Sequence, residues 1–173
     1  MAFVVEDGTG LSSANAYISV AFADAYFLDR NITTWTCANT VKQAAIIKAT
    51  DYIEARWGKR FMGRAEFPET PQALSFPRVN IFDRNGYLVT GLPEKLKRAT
   101  AEYALRALSA ELLPDPTIHE SGLAISAKTE KVGPLEETTQ FQTVASSPVL
   151  LRPYPAADRL LEEYVTAGGS NYR

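Results

Sequence analysis

The chain has 173 residues, 46% of them hydrophobic and 22% charged, with a formal charge of −2. That length and apolar content exclude global disorder and suit one compact domain, and the near-zero charge gives no bulk attraction to nucleic acid or to acidic membranes. One arginine faces four acids over residues 1–40, twelve bases face seven acids over 41–110, and five bases face nine acids over 111–173. A basic middle between acidic ends therefore predicts a molecule with sided surfaces.

In chain order, the N-terminus MAFVVEDGTGLSSANAYISV reads as a short apolar piece, a turn at Asp7-Gly8 and a Gly/Ser-rich loop. Gly8-Thr9-Gly10 lacks the third glycine, the lysine and the strand-to-helix frame of a phosphate loop. Ser19 is an N-cap candidate for a helix to about Arg30 with Phe22, Ala23, Tyr26 and Phe27 buried, closed by Asn31. Trp35, in a polar linker, is expected to pack across a helix end. Thr40 to Trp57 is the clearest amphipathic helix. Ala45, Ile46, Ala49, Tyr52, Ile53 and Trp57 recur every three or four residues. Thr40 with Gln43 reads as a capping box, and Gly58 as a left-handed cap.

Lys59 to Gly91 carries prolines 68, 71 and 77 and glycines 63, 86 and 91, which forbid a long helix. Asp83-Arg84-Asn85-Gly86 predicts a turn between Val79–Phe82 and Tyr87–Val89, hence a small hairpin. Pro93, at the first helical position, opens a helix whose Leu96, Ala99, Thr100, Tyr103, Ala104, Ala107, Leu108 and Leu112 pack on the Thr40 helix. From Gly122 a Thr-rich, partly alternating stretch around Val132-Gly133-Pro134 predicts two strands or an extended arm. A last helix covers Ala156 to Val165 before Gly168-Gly169.

The fold class is thus mainly α: a small bundle of about four helices with a long irregular loop and a β-like arm or hairpin. Residues 1–120 form the helical core, 121–153 the arm, and 154–173 the C-terminal helix and tail, in one structural domain overall.

Catalytic signatures are missing from the sequence. It has no GxSxG, HExxH or CxxC motif, one histidine (His119) and one cysteine (Cys37). The expectation is a non-enzyme without cofactor or metal. A single cysteine suits a reducing cytoplasm or a virion assembled in one, and no run reaches the ~20 apolar residues of a membrane span. A soluble protein, intracellular when made, is expected.

Binding chemistry is more legible. Between Arg56 and Tyr87 six basic and six aromatic side chains interleave. Aromatic stacking in a positive groove is how unspecific single-strand binders work, with Arg60, Arg64 and Arg78 as the candidate DNA contacts. The competing reading places Trp57, Phe61, Phe76 and Phe82 in the core and leaves the arginines to solvate a loop.

The blocks VEDGTG, ANAYISVAFADAYF, KQAAIIKATDYIEARW, QALSFPR, GLPEKLKRATAEYALRAL, KTEKVGPLEE and RPYPAADRLLEEYV occur in this order. In them the chain resembles, over nearly its whole length, the head–tail connector (adaptor) proteins of long-tailed bacteriophages, a family also labelled DnaT-like single-stranded-DNA-binding. The resemblance implies a ring, dodecameric in such adaptors, at the head–tail interface of the virion neck after assembly in the host cytoplasm. Its partners would be further copies, the portal protein, a stopper or tail-completion protein, and packaged double-stranded DNA in the channel, with no membrane.

Lys128 to Thr139 would be the docking arm and Arg152 to Arg173 the terminal docking segment. Lys128, Lys131, Arg152, Tyr154, Arg159, Tyr172 and Arg173 are then the partner-binding candidates. Lys42, Lys48 and Arg56, on the solvated face of the Thr40 helix, are the lateral-contact candidates. The alternative is a single-stranded-DNA-binding replication protein.

Overall fold

In the computed structural model, residues 2–67, 69, 71–83, 85–113, 125–131, 136–141 and 152–166 are described, with 125–131 and 136–141 described by their backbone. Four α-helices and three two-stranded antiparallel ladders make the described chain mainly α with some sheet. The chain divides into two compact units, Met1–Leu112 with Pro153–Arg173, and Leu113–Arg152.

Helix α1, Val20–Leu28, begins where the Ser19 side chain accepts from the Phe22 N–H at 3.1 Å. It buries Ala23, Tyr26 and Phe27. It stops short of Arg30 because the chain curls over: Ile32 N returns to Phe27 O, and Asn31 takes φ +51°, a left-handed conformation that asparagine tolerates. Trp35 is buried at this end, with its ring 4.9 Å from that of Phe27.

Helix α2, Asn39–Trp57, buries Ala45, Ile46, Ala49, Tyr52, Ile53 and Trp57 as the periodicity requires. Both expected caps are corrected. The helix begins one residue upstream of Thr40, so Ala38 is the N-cap, no side chain caps it, and Thr40 already lies in the first turn. Gly58 is right-handed (φ −50°, ψ −45°) and continues into a 3-10 turn, Gly58–Arg60. Its missing side chain serves packing instead, since a Cβ would stand 3.1 Å from Ser75 Oγ and 3.2 Å from Glu54 Oε2.

Between residues 61 and 91 the chain folds into two short ladders. Strand β1, Arg64–Ala65, pairs with β2, Arg78–Val79, and β3, Ile81–Phe82, pairs with β4, Leu88–Val89. The predicted turn forms: the Asp83 carboxylate accepts from Asn85 N at 2.8 Å and Tyr87 N at 2.9 Å. Gly63 sits at φ +71°, where a Cβ would fall 2.1 Å from the Val79 carbonyl oxygen, so β1 and β2 can approach only over glycine.

Helix α3, Glu94–Ala107, packs on α2 through Leu96, Ala99, Thr100, Tyr103 and Ala104, and α4, Pro155–Leu161, packs on α3. Pro93 is the N-cap of α3 rather than its first residue, and the helix ends before Leu112, which is nevertheless buried. Helix α4 gives way to a 3-10 turn, Glu162–Tyr164, and Val165 then bridges to Phe61. The second unit contains β5, Ile125–Lys131, paired with β6, Glu136–Phe141, so the arm expected there has strand backbone.

Candidate functional site

Three polar knots absorb most of the residues that carry the sequence motifs. In the first, Glu6 is 2% exposed, and its carboxylate accepts from Gly8 N, Gly10 N and Leu11 N, each at 2.9 Å. The DGTG loop thus wraps the chain's own carboxylate, which fills the backbone cradle an external anion would need.

The second knot joins the ANAYIS block, α2 and the QALSFPR segment. The Tyr17 hydroxyl donates to Glu54, which also accepts from Ser75 Oγ at 2.6 Å and Ser75 N at 3.2 Å. Burial, then the neighbouring Glu54 charge, pushes the Tyr17 hydroxyl well above its ordinary pKa. Next to it, the Arg78 guanidinium donates to the Met62 and Gly63 carbonyls at 2.8 Å and to those of Phe61 and Ser75 at 3.3 Å. Burial lowers the pKa of Arg78, and the carbonyl fork holds its charge in place.

The third knot fastens α4. Asp158, 6% exposed, accepts from Arg56 at 2.9 Å, from Tyr154 N at 2.9 Å and from the Tyr103 hydroxyl. Tyr103 in turn accepts from Trp57 Nε1 at 3.1 Å, and Arg56 donates to the Tyr52 hydroxyl at 2.5 Å. Burial, then the Asp158 hydrogen bond, pushes the Tyr103 hydroxyl far up. A paired, hydrogen-bonded buried charge of this kind tolerates its desolvation, whereas either member alone would not.

The lateral-contact candidates are therefore engaged within the chain. Lys42 Nζ is 2.8 Å from Asp24, which also takes the Trp35 Nε1–H at 2.7 Å, and the Lys42 side chain is only 12% exposed. Lys48 pairs with Glu111 at 2.6 Å on the open surface, and Arg56 belongs to the third knot.

Of the DNA candidates, Arg78 is fixed inside the fold. Arg64 is exposed on β1 with no ion pair among the described residues, and Arg60 is exposed with its guanidinium 5.0 Å from the Trp57 ring. Trp57, Phe61 and Phe76 fill the core, but Phe82, expected there, is 53% exposed. Its strand turns Ile81 inward, and alternation sends the next side chain out. Among the described residues, the structure thus keeps Lys59, Arg60, Arg64, Phe82 and Tyr87 of the twelve interleaved residues at the surface.

Among the partner-binding candidates, Tyr154 is buried with its ring against Tyr52 and Tyr103, while Arg152 and Arg159 are exposed. Lys128 and Lys131 lie on β5 opposite Thr139 and Glu136. Tyr172, Arg173, Arg84 and His119 lie outside the described residues. Cys37 is half-buried, and no group of three or more His, Cys, Asp or Glu side chains able to hold a metal ion occurs among the described residues. No described helix is long and apolar enough to cross a membrane.

Two surfaces escaped the sequence reading. The C-terminal end of α1, the loop 31–36 and Lys42 border an open cleft of about 390 Å³, with Leu28 80% exposed at its rim. The β3–β4 hairpin carries Phe82, Tyr87 and Leu88, all more than half exposed. Its turn was legible, but the face its side chains take depends on where Ile81 docks.

The whole chain, residues 1–173, matches the family described as "Putative DnaT-like ssDNA binding protein". The chain belongs to that family. No curated protein and no solved structure matches it.

Proposed function

We propose that this family member is a structural subunit, the head–tail connector of a long-tailed phage. It would form a ring between the portal and the stopper or tail-completion protein, around the DNA channel. The single observation that carries this reading is the Leu113–Arg152 unit, whose described strands pair only with each other. An isolated two-stranded hairpin is marginal in water. Each strand offers an open edge, and strand addition to a neighbouring copy or to a portal would supply the missing pairs.

The order of motifs supports the same reading, and so does the use of those motifs to build a rigid frame. Function would need no cofactor, and the protein would pass from the host cytoplasm into the virion neck.

The family's description favours a second reading, a single-stranded-DNA-binding replication protein, and the exposed set Arg60, Arg64, Phe82 and Tyr87 is the surface that would serve it. Sedimentation velocity with and without portal, beside fluorescence anisotropy with oligothymidylate across a salt series, separates the two. The connector reading expects a ring, formed alone or on portal, and little oligonucleotide affinity. Tight, steeply salt-dependent oligothymidylate binding with no portal association would overturn it in favour of the second. The informative double variant is Arg60→Ala with Arg64→Ala. Replacing Arg78 would orphan four carbonyls and confound folding with binding.

A further inference from the structure

Residues 153–166 act as a peg. Alone they could not hold their shape, since α4 has seven residues and isolated helices that short are not stable in water. Their order comes from the rest of the first unit. Tyr154, Ala157, Leu161 and Tyr164 are buried, Asp158 meets Arg56 of α2 and Tyr103 of α3, and Glu163 meets Lys95 of α3 at 2.5 Å. Beyond α4 the backbone runs antiparallel to the segment before β1, with Met62 N donating to Tyr164 O at 2.9 Å and Thr166 N to Arg60 O at 3.0 Å. The pairing is complementary in charge as well. The peg carries three acids and one base, and the ends of α2 and α3 that receive it present Arg56 and Lys95.

Along the chain, the peg is joined to its groove only through the whole of the second unit, Leu113–Arg152. A tether that long constrains the peg weakly, because effective concentration falls with tether length. In the connector reading the strands of this unit add to a neighbouring copy, and the chain leaving β6 leads directly to the peg. Extended, the stretch from Phe141 to Pro153 reaches roughly 40 Å. That exceeds the roughly 28 Å length of α2, so a groove on the copy that holds the arm lies within range.

We propose that in the assembled ring the peg of each copy seats in the groove of its neighbour, so that Asp158 of one chain completes the Arg56 and Tyr103 site of the next. The exchange keeps every contact of the peg and needs no new complementary surface, which makes such swapping a low-cost route to association. Passed from copy to copy in one direction, the contact is heterologous and can close into a ring. The inference deepens the connector reading and rests on it. Of the three lateral-contact candidates it keeps Arg56, which meets an acid of the neighbour, and leaves Lys42 and Lys48 paired within their own chain.

Lys95 and Glu163 stand close enough for a carbodiimide to couple them directly, so the test needs no substitution that could unfold the chain. Rings are assembled on portal from an equal mixture of chains with and without a heavy-nitrogen label, coupled, digested, and read by mass spectrometry. Exchange between copies is expected to give about half of the Lys95–Glu163 peptide with one labelled and one unlabelled half, the random-mixing value for a contact between chains. Unassembled chain, closed on itself, is expected to give only like-labelled peptide.

Only like-labelled peptide from a ring would overturn the inference and leave the connector reading standing. A ring that gives no coupled peptide would place the peg outside the groove and overturn the inference as well. A chain that forms no ring, with or without portal, would remove both.

Discussion

The frame of the first unit and the ladder of the second solve the same problem of polar groups in opposite ways. In the frame, Glu6, Glu54, Asp158 and Arg78 are drawn inside, and each has several hydrogen-bond partners, local for Glu6 and reaching distant parts of the chain for the other three. In the ladder, β5 and β6 satisfy one edge of each other, and the register sets Glu130 opposite Glu137. Such knots tie a subunit to one geometry. A lone ladder with like charges opposed leaves its geometry for a partner to fix.

High pH should break the frame most completely. The Tyr17 and Tyr103 hydroxyls are raised by burial first and by their carboxylate partners next, and burial with the Glu102 hydrogen bond pushes Tyr26 up to about 12. In each case the folded pKa lies above the unfolded value, so the stabilisation is whole below the ordinary tyrosine pKa of about 10 and is lost as pH rises through the folded values. Urea midpoints should fall steadily from about pH 10 towards 12. Tyr103→Phe should flatten that fall, and an unchanged slope in this variant would remove the third knot from the account.

Asp158→Ala should be the most damaging single change at neutral pH. It leaves the Arg56 guanidinium, whose side chain is 14% exposed, without its carboxylate and frees Tyr154 N and the Tyr103 hydroxyl together. Breaking a buried pair from one side costs about 3–5 kcal/mol. Urea denaturation checks this, and replacing Arg56 and Asp158 together by apolar residues of similar volume should recover part of the loss. A cost below about 1 kcal/mol would place the pair in the class of surface bridges.

The helices were legible in the sequence because burial on one face imposes a 3.6-residue period: α1 and α3 lie within their predicted stretches, and α2 and α4 each begin one residue before theirs. Their ends were less so. Thr40 and Gly58 have the chemistry of caps, yet the helix extends past both, since Ala38 starts it without a side-chain cap and Gly58 is needed small beneath Ser75. Arg56 and Arg78 look like solvated cations in one dimension. Their buried partners, Asp158 and the carbonyls of residues 61–63 and 75, are set by long-range packing or an irregular loop with no period to read.

Ser75→Ala sharpens the comparison at a smaller scale. Ser75 Oγ donates to an ionised partner at 2.6 Å, and hydrogen bonds to charged groups contribute about 1.5–3 kcal/mol. The Tyr17 donor and the Ser75 backbone N–H remain, so the loss should sit near the low end, about 1.5 kcal/mol by chemical denaturation. A neutral result would mean that Glu54 is held by Tyr17 and the backbone alone.

The smallest effect belongs to the ladder. Glu130→Lys converts the Glu130–Glu137 pair from like to opposite charges, and cross-strand pairs are worth about 0.2–1 kcal/mol. The hairpin should gain in population by that amount, read as slower amide exchange at residues 125–131 and 136–141, while the urea midpoint of the frame stays put. The same substitution should then slow whatever partner binding uses β5 or β6 as an added strand, if the free ladder must open to dock, and speed it if the ladder docks already formed. A shift of the frame's midpoint instead would mean that the two units share one folding transition, and the contrast between them would be one of composition and not of stability.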